Sequence, residues 1–412
     1  MLEAHLRSPV TRERLRAGPA APYVDAFAAW LTRQGYRPIG IDHALRSLAG
    51  WTDWLRGAGF TATELVQGFE ACKAALATQP RVRHARGPNQ ESLAAAARLL
   101  RFLREQGVLP RPVPPASPAE RWPLLGAFRA WMSQHRGLTE GSLDLYQGIL
   151  GDLLGALGDD PRTYTAAGLR TFVLARAQPH GIARAKSIVV AVRAFLRFLG
   201  ATGRCAPGLE HALPGFAGWH LAATPRFLAP AEVDRLLAAC PRDPVGLRDQ
   251  AILLLLARLG LRASEVAGLA LADIDWRTGR LAVCGKGRRA EWLPLPQVVG
   301  AALLRYLRRA RPPWPGPTVF ATVKAPWHAL TRQAVSAIVV TALRRAGVEA
   351  PVHGAHLLRH SAATAMLRQG ASLAGIAAVL RHRSPRTTVH YAKVDFALLA
   401  EIAQPWPGGG RC

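Results

Sequence analysis

Lysine is nearly missing from this 412-residue chain. Only Lys73, Lys186, Lys286, Lys324 and Lys393 occur, so almost all of the positive charge is arginine. An Ala- and Arg-rich composition fits GC-rich coding, which lowers the weight of arginine number and raises that of each lysine kept. Cysteine is sparse as well. Cys72, Cys205, Cys240, Cys284 and Cys412 are scattered with no Cys-x-x-Cys pair, which points to a reducing compartment and away from a zinc site. Long apolar runs are absent: the longest, Ala251–Ala257, is far too short to span a bilayer. Residues 1–19 hold no apolar core of the secretory kind, so no signal peptide is expected. They are Arg-rich like a transit peptide, but Glu3, Pro9 and Glu13 oppose that reading. No phosphate-binding P-loop and no metal-binding carboxylate cluster is evident, so neither metal nor other cofactor is expected.

Acidic residues are also few. Asp and Glu number 27 against 53 Lys and Arg, for a formal net charge of +26. Such an excess predicts strong, salt-sensitive attraction to a polyanion. The chain lacks a basic tail and looks globular throughout, which argues against a ribosomal-type or membrane-surface protein. Half of its residues are hydrophobic, enough for the two or three cores expected at this length.

Apolar stripes at helical spacing fill residues 22–109: Phe27, Trp30 and Leu31; Leu45, Leu48, Trp51, Trp54 and Leu55; Leu93, Leu99, Leu100, Phe102 and Leu103. Five prolines in residues 110–118 favour an extended, semi-rigid linker. Residues 120–204 then repeat the plan. Phe128, Trp131 and Met132 echo the first stripe, and Leu196-Arg197-Phe198-Leu199 repeats Leu100-Arg101-Phe102-Leu103 letter for letter. Either tandem duplication or chance likeness of two small bundles explains this. A second linker covers 207–225. Beyond it, Pro230 opens a helix, residues 249–259 read as a buried helix, and the period then changes to two. Ile274–Trp276, Arg280–Cys284 and Ala290–Leu295 look like three short antiparallel strands, with Thr278-Gly279 and Gly285-Lys286-Gly287 as turns. The rest is helical to about Ala403.

The chemistry-bearing residues gather late. His356 and Arg359 are three positions apart and share a helix face. Arginine grips a phosphate with two parallel hydrogen bonds, and histidine exchanges protons near neutral pH. A tyrosine hydroxyl is a poor nucleophile at its free pKa and needs such neighbours. His382 and Tyr391 follow in the same stretch.

Five elements occur in order: Gly260-Leu261-Arg262-Ala263-Ser264-Glu265; Gly285-Lys286-Gly287; His356-Leu357-Leu358-Arg359-His360; Leu380-Arg381-His382; and Tyr391. The set resembles the tyrosine recombinases, the family of phage integrases and Xer-type resolvases. The resemblance runs from about Phe227 to Val394 and more weakly over 120–204; residues 1–117 match by position and by likeness to the next segment. It implies a mainly α, multidomain fold. Helical, SAM-like DNA-binding domains would precede a mostly helical catalytic domain with a small three-stranded antiparallel sheet. The domains would be 1–109 (arm-type or duplicated), a linker at 110–119, 120–206 (core-binding), a linker at 207–225, and 226–412 (catalytic, with a tail).

By the same resemblance, Arg262 and Arg359 stabilise charge on a phosphate and Glu265 orients Arg262. Lys286 protonates the leaving 5′ oxygen. His356 assists proton removal from Tyr391 or bonds the phosphate, His382 bonds a non-bridging oxygen, and Tyr391 attacks. His360 and His390 are read as supporting residues facing elsewhere. The family commonly has Gly where Arg381 stands, and Arg381 is a candidate phosphate contact. Arg184 and Lys186 are candidate DNA contacts, with a plain solvated face as the other reading. The implied activity is site-specific recombination of double-stranded DNA through a 3′-phosphotyrosine, without metal or ATP. The protein would act as a DNA-bound tetramer or with sister recombinases, in the cytoplasm on the nucleoid and away from membranes. Rival readings are a type IB-like topoisomerase and a non-catalytic DNA-binding partner. The apolar segment after Tyr391 docks either on a neighbouring protomer or within its own chain.

Overall fold

In the computed structural model, residues 2–78, 89–112, 116–217, 226–284, 290–350, 352, 354–382, 388 and 391 are described. By contacts the chain divides into two compact units. One joins residues 1–110 with 223–412; the other is 111–222.

The first segment is all helical: α1 (Pro9–Ala17), α2 (Val24–Arg33), α3 (Pro38–Gly57), α4 (Leu65–Thr78) and α5 (Gln90–Glu105). Its helices begin earlier than the apolar stripes suggest. Ser8 caps α1 and Pro9 occupies the first turn, where a missing N–H costs nothing. Leu2, Leu6 and Leu15 from this Arg-rich stretch are fully buried.

The second unit carries α6 (Pro123–Arg136), α7 (Glu140–Leu157), α8 (Ala166–Ala177) and α9 (Ile182–Ala201). The linker expected at 110–119 ends early, because Ser117 caps a helical turn that starts at Pro118. Within the other linker, Leu209–His211 form a 3-10 turn, and Leu213 joins this unit's core. The echo between the two helical segments extends to packing. Trp30 lies 5.7 Å from Phe102 and Trp131 lies 5.7 Å from Phe198. Phe27–Phe102 and Phe128–Phe198 are 5.8 and 5.6 Å apart. These aromatics are core, as their helical spacing predicts.

After residue 226 the chain forms α10 (Pro230–Ala238), α11 (Pro244–Arg258) and α12 (Ala263–Gly268). Asp243 caps α11, accepting from the Gly246 N–H at 2.7 Å. Residues Ala251–Ala257 of α11 are buried without a break, which makes it the central helix. Its five aliphatic side chains Ile252–Leu256 each contribute about 1.5–3 kcal/mol on burial. An antiparallel sheet follows, in the order β1 (Ile274–Asp275), β2 (Arg280–Cys284), β3 (Ala290–Pro294). Ile274, Leu281 and Leu293 stand opposite one another across the three strands, all buried. A one-residue slip would turn that row outward, so the register is fixed. Helices α13 (Gln297–Arg309), α14 (Arg332–Arg345), α15 (Ala355–Arg368) and α16 (Leu373–Leu380) complete the described fold. Among the described residues, no helix is long and apolar enough to cross a membrane.

Candidate active site

Three chain segments meet at the site: the α11–α12 junction, α15, and the C-terminal end of α16. Gly260 ends α11 with φ +59°, and a Cβ there would fall 2.4 Å from the Leu380 side chain. The left-handed turn favours glycine here, and a side chain would also have to displace the tip of Leu380. The chain then starts α12 at Arg262, with Glu265 in its first turn. Glu265 returns to its partner twice: Oε2 accepts from the Arg262 N–H at 2.8 Å, and Oε1 accepts from the guanidinium at 2.6 Å.

Arg359, on α15, is 4 % exposed. Its two terminal nitrogens donate to the carbonyls of Gly260 and Leu380. Burial, and then the neighbouring Arg262, pull it down to about 10, so it remains a cation at neutral pH. Arg262 donates in turn to the Arg381 carbonyl at 3.3 Å. Both guanidiniums are thus held by carbonyls at the end of α16, where the helix dipole is negative.

Arg381, the candidate phosphate contact, is turned inward. It is 8 % exposed, and its guanidinium pairs with Glu265 Oε2 at 2.7 Å. It is the one non-glycine residue with positive φ among the described residues, at φ 55°. That left-handed turn explains why glycine suits the position. An L-residue there costs about 1–2 kcal/mol, and the buried ion pair offsets it.

The imidazoles differ in their surroundings. His356 keeps an exposed face, yet nearby protein withdraws its hydration; this, with Arg359 and Arg262, lowers its pKa. His382 is pulled down to about 4 by burial first and then by Arg359 and Arg262; its Nδ1 lies 2.8 Å from the Thr388 hydroxyl. Both rings are neutral at neutral pH. Folded, they bind fewer protons than unfolded chains, in which histidine titrates near 6.5. The stability from keeping them neutral is present above that value and is lost as pH falls below it, for His382 down to about 4. Lowering the pH from about 7 to about 5 should reduce the urea midpoint, and His382→Asn should flatten that fall. Equal slopes in variant and parent would exclude His382 as a contributor.

Tyr391 is 2 % exposed and clusters with Ala363, Leu367, Ile376 and Leu380. Burial raises its pKa, and Arg359 opposes that rise. Its ring lies parallel to that of His382, 6.3 Å away. Its hydroxyl sits 2.8 Å from Nδ1 of His360, which the sequence reading placed facing elsewhere. The missed signal is a spacing. His360, Ala363 and Leu367 form one stripe of α15, and a ring packed over the last two brings its hydroxyl to the first.

The structure therefore brings Arg262, Glu265, His356, Arg359, Arg381, His382 and Tyr391 into one neighbourhood. Lys286, His390 and the tail after Tyr391 lie outside the described residues. Arg184 and Lys186 lie half-buried at the start of α9, in the other unit. The named side chains carry three guanidinium charges against one carboxylate, which makes the site a receptor for an anion.

A family model described as the phage integrase family matches residues 226–397. A putative integrase/recombinase, y4rA, from Sinorhizobium fredii is 37% identical over 398 residues, covering 95% of each chain. Tyrosine recombinase XerD of Listeria monocytogenes is 28% identical over 294 residues, 68% of this chain and 96% of that one. Among solved structures, XerH site-specific recombinase bound to palindromic difH substrate in a post-cleavage complex aligns with a TM-score of 0.56. It is 17% identical and covers 72% of this chain and 98% of that one. The Tn1549 transposon integrase aligns at 0.51, with 16% identity over 68% of this chain and 99% of its own. These two likenesses concern the fold.

Proposed function

The chain belongs to the phage integrase family of tyrosine-type site-specific recombinases, enzymes that cleave and rejoin DNA, and from that premise we propose that Tyr391 is its nucleophile. The observation that carries this reading is the seating of one tyrosine hydroxyl among groups drawn from far along the chain. Arg359 and His360 come from α15 and His382 from beyond α16.

The step exchanges one phosphate ester for another. The Tyr391 oxygen bonds to phosphorus, the bond from phosphorus to the 5′ oxygen breaks, and that oxygen takes up a proton. The product is a 3′-phosphotyrosine with a free 5′-hydroxyl. Because ester replaces ester, rejoining is the same step reversed and no ATP is consumed. Arg262 and Arg359 face the charge that grows on the non-bridging oxygens, held in advance by carbonyls and Glu265. Neutral His356 and His382 add hydrogen bonds to the same oxygens. Lys286 is assigned to the leaving oxygen on the family pattern alone.

Residues 120–206 serve as the core-binding module and 1–109 as an additional DNA-binding module, which favours a mobile-element integrase or transposase over a minimal resolvase. The working assembly is a tetramer on double-stranded DNA, of this chain or of this chain with sister recombinases, on the nucleoid. Arg184 and Lys186 are candidates for backbone contacts within the core-binding module.

A nicked suicide duplex cut from DNA flanking the coding sequence tests the reading. Incubated in EDTA, the protein should yield a slow band on a denaturing gel, carrying the strand that ends in the 3′-phosphate. Duplex binding without any such band would overturn it. Two sites on one substrate should then recombine.

A further inference from the structure

We propose that His360 is the residue that takes the proton from the Tyr391 hydroxyl, a role the family pattern offers to His356. This rests on Tyr391 being the nucleophile.

Geometry favours His360 over the other two imidazoles. Its Nδ1 is 2.8 Å from the phenol oxygen, within the range for proton transfer. His382 stacks its ring parallel to the phenol at 6.3 Å and has its Nδ1 on Thr388. Face-to-face rings at that distance do not place a nitrogen lone pair on the hydroxyl. His356 lies one helical turn back on α15, its ring 6.5 Å from that of His360, and keeps an exposed face suited to the substrate. The phenol itself is 2 % exposed, so bulk water is a poor proton acceptor for it in this conformation.

The charge arrangement gates the transfer. Tyr391 faces the Arg359 cation, which favours the phenolate; burial opposes it. Among the described residues, Arg359 lies on the same helix, and the charges that Arg359 itself meets are Arg262 and Glu265 from α12 and Arg381 at the end of α16. A phosphodiester seated against these guanidiniums brings negative charge to the imidazolium that the transfer forms, so the step belongs to the DNA-bound state. In the forward step the phenol O–H bond breaks, its proton goes to Nδ1, and the oxygen electron pair forms the bond to phosphorus. On rejoining, the imidazolium returns that proton to the departing phenolate. The ring must carry its other hydrogen on Nε2.

The test measures covalent-complex formation on the nicked suicide duplex as a function of pH. His360→Asn keeps an acceptor near Nδ1 but cannot accept a proton. It should slow cleavage by about 10²–10³-fold, with duplex affinity within about twofold and the acidic limb of the profile lost. Replacing Tyr391 in that variant by a fluorinated tyrosine, whose phenol is more acidic, should restore at least about tenfold of the rate. A purely structural histidine would show no such rescue. His360→Gln substitutes if the first variant loses its circular dichroism spectrum. The assignment is overturned if either folded variant cleaves within threefold of the parent with an unchanged profile. It is also overturned if fluorotyrosine rescues His356→Asn and not the His360 variants. Persistence of the covalent complex in Tyr391→Phe would instead sink the nucleophile itself, which separates the two failures.

Discussion

Tyr391→Phe is expected to abolish covalent attachment to DNA while leaving duplex affinity unchanged. The substitution removes one oxygen and nothing else. The ring that packs on Ala363, Leu367, Ile376 and Leu380 is retained, so the fold around it holds. Deleting the ring by Tyr391→Ala would confound the result with a cavity costing about 3–5 kcal/mol. The phenylalanine variant instead leaves the His360 Nδ1 short of one partner, worth about 1–3 kcal/mol if no water replaces it. Since the tyrosine is 2 % exposed, its hydroxyl adds little to a duplex contact, and a mobility-shift titration should superimpose on that of the parent. The rate of attachment should drop by at least about 10⁴-fold, because loss of a nucleophile leaves no alternative route through the same site. A persisting band on the denaturing gel would transfer the role to another side chain. The nucleophile and the arginines sit on one chain here, so mixing this variant with an Arg359→Lys variant should not restore attachment. Restoration in the mixture would show that the tyrosine is delivered between protomers.

Much of this was legible beforehand, and the boundary has a physical basis. The three strands and the central helix follow from period and apolar content, and β1–β3 fall within a residue or two of the expected spans. The pair Arg262 and Glu265 is expected from their spacing of three, and in the structure it is the N-cap and third residue of α12 that meet. Partners distant in sequence are another matter. Nothing in the local pattern says that Tyr391 lies over the His360 stripe, so a helical wheel drawn from α15 alone assigns that histidine to the wrong side. The partner of Arg381 was hidden for a related reason: the left-handed turn at the end of α16 aims its side chain inward at a carboxylate 116 residues earlier. The early helix α1 was hidden by its arginines, which are counted as polar although Leu15 beside them is buried.

That carboxylate is the second position where a large effect is expected. Glu265→Ala should lower stability by about 3–5 kcal/mol in urea unfolding, since removing one member of a buried ion pair strands the other. Here two guanidiniums are stranded, one of them 3 % exposed in its side chain, with Arg359 close by and like-charged. Catalysis should fall too, by about 10²–10³-fold, because Arg262 loses the anchor that aims it. Arg381→Gly should behave differently. Glycine relaxes the left-handed turn by about 1–2 kcal/mol, keeps the backbone carbonyl that accepts from Arg262, and leaves Glu265 paired with Arg262 alone. Its net loss of stability should therefore be clearly smaller than that of Glu265→Ala. Combining the two should cost less than their sum, since one stranded cation disappears with its own substitution. Strict additivity in that double-mutant cycle would show that Glu265 and Arg381 do not act as a unit. A cycle that is coupled in stability but additive in cleavage rate would confine Arg381 to the fold. Coupling in both would mean that an arginine standing where the family usually has glycine has become part of the apparatus that aims Arg262 at the phosphate.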